Sequence, residues 1–505
     1  MAKKLLVFMG AILLLALLCW AFSGTPASGG DPDPNAPPPA DPNAPPPANP
    51  TPPAPTGPVK YEKSEYFKPP EGTPEEAIKL MKEVEQTYEG AKKATTSKEV
   101  KKAMETMVSK CKKARKVAPD WIVVGYYLCI AYQGQQKYTM AKTEVDAILA
   151  KAPKWHEALL ELGDIYLWLK QYDQSKKTYD DLIALKPDWS TAYLRRVGMH
   201  IRVRDLKSAK EDIQKALQLG IEDPKEKEGY EKVVTAIDNE MNQMSKWGQT
   251  FTKESEHYII MTNDSQSFAD DISKHLELIY KAYTKLYPAN KFAKRDEKFI
   301  IIIHGSQQDY FNAGAEKNTG GYFSTMSKKV VIYKYPSFDA GVAVLYHECF
   351  HQYLDTMIPN PPLWFNEGHA EFYGAFKYLA GKNQMLYRPN GSRLPGMKQI
   401  FAARQNVPLK EFTQFTQEEF YNQQTIGRNY AQAWAFVYFC NMFADGKYKK
   451  LLTKYFNTMI KMDKTYDEIW DATFKGVDWD TMEQEFRTYI SGLKESDASK
   501  PMGSR

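Results

Sequence analysis

Residues 346–376 read YHECFHQYLDTMIPNPPLWFNEGHAEFYGAF, and the spacing of histidines and glutamates within them dictates the architecture expected of the C-terminal half. The stretch holds His347-Glu348-x-x-His351, and sixteen residues beyond His351 comes Glu367, inside Trp364-Phe365-Asn366-Glu367-Gly368. On a helix, positions four apart share a face, so His347 and His351 can aim both imidazoles at one ion. Glu348 stands one step round the helix from His347, within reach of a water on that ion and out of competition for it. A catalytic zinc takes three protein ligands and keeps a fourth position for water. Glu367, on a second helix packed against the first, is the candidate third ligand. Glu371, one turn later, is placed to accept a hydrogen bond from the outer nitrogen of a ligating histidine. The rival reading is an amphipathic helix with two solvated histidines. The chain has only eight histidines, and the W-F-N-E-G segment follows at a workable distance; both weigh against that rival.

HECFH followed by LWFNEGHAEF resembles the gluzincin metallopeptidases, zincins whose third ligand is a glutamate, with thermolysin and the aminopeptidase N family as relatives. It is most similar to bacterial gluzincin-like proteins of unassigned substrate that carry P-x-W-x-x-E-G-x-A-E after the zincin helix. The resemblance covers about the C-terminal half. It implies one zinc per chain on His347, His351 and Glu367, with Glu348 as general base. In aminopeptidase-type members a tyrosine on a later helix donates to the oxyanion. The resemblance puts Tyr430 there, 63 residues after Glu367, against the alternative of an ordinary packing aromatic. His369 and His304 are lesser candidates for the same task. The ligand gap is shorter than in the aminopeptidases and no G-x-M-E-N segment precedes the helix, so their means of holding a free amine does not carry over. The family's cleft-bordering strand pairs with the substrate backbone, which here means Gly320-Gly321-Tyr322 or Val330–Tyr333.

At 505 residues, with net charge +5 and 26% charged residues, the chain has room for two or three domains and no bias toward nucleic acid. Five cysteines are too few and scattered for a disulfide scaffold. Cys111, Cys129, Cys349 and Cys440 read as buried thiols in helices, and Cys349 points away from the metal.

Residues 1–23 read as an export signal or an N-terminal membrane anchor. Lys3 and Lys4 precede an apolar run from Leu5, and Ala21-Phe22-Ser23 forms a small-x-small site. Lipoprotein processing at Cys19 is disfavoured by Leu18 before it. All three readings export the protein, to a bacterial envelope or beyond. Residues 24–72 are a linker in which DPNAPPPA occurs twice, at 33–40 and 41–48, giving a semi-rigid polyproline stalk.

Residues 73–245 are helical with a period. Pro119-Asp120-Trp121, Pro153-Lys154-Trp155 and Pro187-Asp188-Trp189 recur every 34 residues, the tetratricopeptide spacing. Leu162, Gly163, Tyr166 and Tyr179 fit the second unit, and Leu128, Tyr132 and Ala141 the first. This resembles a tetratricopeptide array, whose concave groove in that family binds peptides or partner proteins. The alternative is that the repeats only brace the domain that follows. The expected fold is therefore multidomain: an all-α tetratricopeptide-like solenoid, then an α+β zincin-type metallopeptidase domain over 246–495 with a helical C-terminal subdomain, and a disordered tail over 496–505. Strands are expected at His257–Thr262, Lys298–Ile303, Tyr322-Phe323 and Val330–Tyr333, with a helix from Phe268 to Tyr287. The expected activity is zinc-dependent peptide hydrolysis on a peptide or protein substrate. The rival is an envelope-anchored interaction scaffold in which the zincin site is silent or structural.

Overall fold

The structure is a computed structural model that describes residues 63–94, 97–288, 298–317, 319–358, 360–379, 384–461 and 464–496. The expected export signal or anchor, the linker up to residue 62 and the tail from 497 onward lie outside the described residues. Among the described residues no helix is long and apolar enough to cross a membrane.

Among the described residues the N-terminal half is a solenoid of nine helices: α1 (Glu75–Ala91), α2 (Ser97–Val117), α3 (Ile122–Gly134), α4 (Tyr138–Lys151), α5 (His156–Trp168), α6 (Tyr172–Leu185), α7 (Ser190–Arg202), α8 (Leu206–Leu219) and α9 (Pro224–Met241). The 34-residue period is visible in the backbone. Trp121, Trp155 and Trp189 each occupy the N-cap of the first helix of a pair. Gln136, Lys170 and Arg204, at the same spacing, take left-handed conformations with φ of 59°, 59° and 64° that close the turn to the second helix. Gly163 is required where the pair packs most tightly, because a Cβ there would lie 2.6 Å from the Tyr179 ring. All three tryptophans are buried, and Trp155 stacks on Tyr126 at 5.2 Å.

The expected linker ends earlier than residue 72. A short 3-10 turn, Glu65–Phe67, lies on the faces of α3 and α5, where Tyr66 and Phe67 meet Trp155 at 5.2 and 5.4 Å and the Ser64 N–H donates to Glu157 Oε1 at 3.0 Å. Two aromatics side by side offset the entropic cost of ordering this short segment.

The second half begins with β1 (Phe251–Glu254), β2 (Tyr258–Thr262), α10 (Gln266–Leu286), β3 (Phe299–His304), α11 (Gln307–Asn312), β4 (Gly321–Phe323) and β5 (Lys329–Tyr333). The sheet order is β1-β2-β3-β5-β4. Strands β2, β3 and β5 are parallel, and β1 and β4 flank them antiparallel. The unbroken apolar run of β3 follows from its place at the centre. Ile301 and Ile303 face the main core under the helices, while Ile302 faces a second cluster with Tyr310, Val331 and Tyr333. Val330–Tyr333 is therefore an interior strand with both edges paired. Of the two strands expected to border the cleft, only the one at Gly321–Phe323 is an edge.

The metal-motif helix α12 (Phe338–Asp355) packs on this sheet and is followed by α13 (Leu363–Gly374). A small hairpin that the sequence pattern did not reveal, β6 (Lys377–Leu379) with β7 (Gln384–Leu386), precedes the remaining helices. These are α14 (Arg393–Ala402), α15 (Leu409–Phe412), α16 (Gln417–Phe420), α17 (Ile426–Met442), α18 (Lys449–Met459), α19 (Tyr466–Phe474) and α20 (Trp479–Gly492). One continuous core joins the sheet, α10, α12, α13 and this helical end.

Candidate metal centre

Helix α12 opens with Ser337, whose side chain accepts the Ala340 N–H, and runs unbroken through the motif. One face of α12 is turned to α13, and the 3.6-residue repeat brings His347 and His351 to it together, their ring centroids 4.8 Å apart. Helix α13 starts directly after Pro361-Pro362 and is squeezed between two neighbours. A Cβ at Gly368 would lie 2.6 Å from the Ala433 carbonyl of α17, and one at Gly374 3.1 Å from the Ala343 carbonyl of α12. The glycine following Glu367 thus lets α17 close on α13 and presses the glutamate toward the histidines.

Glu367 Oε2 lies 3.5 Å from His347 Nε2 and 3.5 Å from His351 Nε2. All three side chains are buried, and their ligand atoms fall within 4.8 Å of one another. Two ligand atoms about 2.0–2.1 Å from a tetrahedral ion stand roughly 3.4 Å apart, so the spacing suits a zinc-sized cation. The donor set suits it too. Glu367 Oε2 is buried with no hydrogen-bond partner, an arrangement costly for a carboxylate unless a cation completes it. Glu367 Oε1 accepts the Tyr421 hydroxyl at 3.0 Å, which turns the other oxygen to the imidazoles. His351 Nδ1 is 2.9 Å from Asn366 Oδ1. Since an amide oxygen only accepts, Nδ1–H donates, and Nε2 is the nitrogen turned to Glu367, the one that would ligate a cation once its proton is lost. Burial opposes charge on both partners, yet Glu367 lifts the His351 imidazole to about 9, and the two imidazoles hold the Glu367 carboxyl far below the usual range.

Glu348 is buried beside the pair, and its Oε1 has no hydrogen-bond partner. Burial pushes its carboxyl pKa up and Glu367 adds to this, while the imidazoles and the Phe323 N–H of β4 counter it. A carboxyl so placed can exchange a proton with a group held between it and the imidazoles.

Glu371 departs from its expected bond. Its Oε1 is 3.8 Å from His347 Nδ1, too far for a hydrogen bond, and it accepts instead from Arg393 Nη2 at 2.7 Å, with Oε2 accepting from Asn390 Nδ2 at 2.9 Å. Tyr430 is buried with the Arg393 guanidinium 5.4 Å over its ring, and burial followed by the Glu367 charge raises its hydroxyl pKa. A cleft of about 1690 Å³ reaches His347 and is lined also by Gly320, Tyr335, Glu371, Arg388 and Arg393. Tyr430 is not among its lining residues.

The two lesser histidine candidates fall elsewhere. His369 sits in the core, its Nδ1–H donating to the Phe365 carbonyl at 2.6 Å and its Nε2 accepting from Tyr287. His304 ends β3, its Nδ1 accepting from Trp247 Nε1 at 3.2 Å and its Nε2–H donating to Gln243 Oε1 at 3.2 Å. Cys349 is buried on the far side of α12, in the main core, as expected. In a second acid–histidine group, Glu256 is exposed while His257 and Glu277 are half-buried, and His257 Nδ1 is already bound to Glu277 at 2.7 Å.

Asn366, Tyr421, Asn390 and Arg393 were not read from the sequence. Asn366 had a signal, since it adjoins Glu367 in the same motif. The other three come from segments with no period to mark them.

A family model described as a protein of unknown function (DUF1570) matches residues 341–459, a span that includes His347, His351, Glu367, Tyr421 and Tyr430. A comparison with curated proteins finds no match.

Proposed function

We propose that the chain is an exported zinc-dependent peptidase of gluzincin type, with His347, His351 and Glu367 as the metal ligands and Glu348 as general base. One observation carries the reading. The unpartnered Oε2 of Glu367 stands equally close to both Nε2 atoms, and a second unpartnered carboxylate oxygen, that of Glu348, is buried alongside. A purely structural zinc has no use for Glu348.

Zinc bound there would supply a positive charge beside the scissile carbonyl and a water whose pKa is lowered to roughly 7. The chain's own residues do the rest. Glu348 takes the proton from the attacking water and passes it to the leaving amine. Asn366 and Tyr421 keep His351 and Glu367 oriented. Arg393, which lines the cleft, and Tyr430, whose hydroxyl feels the Glu367 charge, are the candidate donors to a developing oxyanion, a contact worth about 3–4 kcal/mol where such donors have been removed. Gly321 and the Phe323 carbonyl offer the free backbone groups. The Ser324 N–H donates to the Lys329 carbonyl at 2.8 Å, and since strand groups alternate in direction, those of Gly321 and Phe323 face away from β5. An extended peptide can pair with them.

The scaffold reading is less well supported, because α3, α5 and α7 bury most of their residues within the molecule, and Ser64–Phe67 already occupies part of the face that a partner peptide would take. The test is cleavage of a casein or peptide mixture that stops on chelation and returns with zinc. One zinc per chain with no turnover would favour the scaffold.

A further inference from the structure

We propose that the last solenoid helix is a working part of the metal site: Gln243 and Glu240 position the edge strand β4 against Glu348, so the solenoid governs how a substrate backbone is received. This rests on the peptidase reading for its consequence in turnover, though not for its structural content.

The case begins with what β4 lacks. It has three residues and one strand partner, β5, and a pairing that short frays unless something else holds it. Its support comes from the other half of the chain. Just past the end of α9, Gln243 Nε2 donates to the Tyr322 hydroxyl at 2.7 Å. The same amide is locked from its other side, because its Oε1 accepts from His304, which Trp247 holds in turn. Gln243 is buried, so neither bond has water as a ready substitute.

One turn back lies buried Glu240, close to Tyr322 of β4 and to Ser324 and Ser327 of the β4–β5 turn, with its Oε2 making no hydrogen bond. The tip of that turn, Met326, is buried in the solenoid's own apolar cluster with Tyr193, Val197, Ile201 and Ile237. From the opposite side α12 grips the same turn, with Gln352 Nε2 donating to the Lys328 carbonyl at 2.8 Å and Asp355 paired to Lys328 Nζ at 2.8 Å.

The hairpin is therefore clamped between the solenoid and the metal-motif helix. The next residue after Tyr322 is Phe323, whose N–H points at Glu348. A shift of β4 changes at once the strand that would pair with substrate and the donor facing the general base. Gln243, Glu240 and Tyr322 are positioning residues, since none of them reaches the reacting atoms.

The experiment uses the full chain with zinc added, as wild type, Gln243→Ala, Tyr322→Phe and the two combined. Lys101→Ala, which breaks the ion pair with Asp467 elsewhere between the two halves, is the control. Amide exchange over 320–324, zinc content, and kcat and KM on the cleaved peptide are recorded. The expected result is one zinc per chain throughout and about tenfold faster exchange over 320–324 in both single variants. The double variant should be no worse than either single, KM should rise more than kcat falls, and Lys101→Ala should match wild type. Exchange that is unchanged in Gln243→Ala and Tyr322→Phe, or equally raised in Lys101→Ala, overturns the inference. Should the wild type cleave nothing, the peptidase reading falls, and the exchange data still decide whether the solenoid positions β4.

Discussion

Asn366 is the residue that most rewards attention beside the ligands themselves. Its side-chain oxygen fixes the ring of His351 by taking the Nδ1 proton, and outer partners of this kind are worth about 10–100-fold in metal affinity. Asn366→Ala should therefore weaken zinc binding by that factor, as read by competition with a calibrated chelator, while leaving the fold intact; an unchanged affinity would mean that packing alone orients the ring. Glu371 shows the opposite outcome. Its charge is tied to Arg393 and Asn390, and what it contributes to His347 is proximity at 3.8 Å without a bond. The convergence of His347, His351 and Glu367 was legible because a helix converts a spacing of four into a shared face, and because Trp364-Phe365-Asn366-Glu367-Gly368 leaves few alternatives for a third partner. Tyr421, Asn390 and Arg393 were not, since their nearness to Glu367 and Glu371 is set by how irregular segments return to the site, and no local pattern encodes that.

Among the elements, α13 is the most constrained. It carries Glu367 on one side and presents Gly368 to α17, where a methyl group would collide with the Ala433 backbone. Backbone cannot move aside as a flexible side chain can, so Gly368→Ala should cost about 1–3 kcal/mol of stability through overpacking. It should also loosen zinc, because the helix must back away from α12 or α17. Urea unfolding followed by fluorescence checks the first effect and chelator competition the second; an unchanged midpoint would contradict the close approach. The strands make the complementary point about sequence. Phe299–His304, Tyr258–Thr262 and Lys329–Tyr333 were readable from their apolar runs, yet nothing in VVIY or GYF tells which is the edge. That property belongs to the order of the whole sheet, which makes Gly321–Phe323 an edge and Lys329–Tyr333 an interior strand. The Tyr66–Phe67 turn escaped notice for a related reason: it is held by aromatics that find Trp155 and Tyr126 far along the chain.

At the scale of the molecule, the two halves meet through buried polar groups that also make stability sensitive to acid. His304 lies at this junction, buried as the neutral ring, and burial pulls its pKa from 6.5 to about 4. The unfolded chain binds a proton below about 6.5 that the native state refuses until about 4, so the contribution is complete above 6.5 and is lost as pH falls through that window. Between pH 7 and 5 this single group should cost about 2 kcal/mol. The loss should be smaller in His304→Gln, measured as the difference in urea midpoint between the two pH values; an equal loss in both would assign the acid sensitivity elsewhere. The period of 34 residues made the solenoid legible from its tryptophans and prolines alone, whereas its attachment to the sheet through Gln243, Glu240 and Met326 was beyond any repeat pattern. The account as a whole stands on a zinc held by two imidazoles and a carboxylate with Glu348 free to move protons. The most direct test is to measure zinc content and peptide cleavage together in the wild type, Glu348→Gln and His351→Ala. The account predicts one zinc per chain in the first two, turnover reduced by orders of magnitude in Glu348→Gln, and loss of both zinc and turnover in His351→Ala. Cleavage at the wild-type rate by Glu348→Gln, or full zinc retention by His351→Ala, would contradict it.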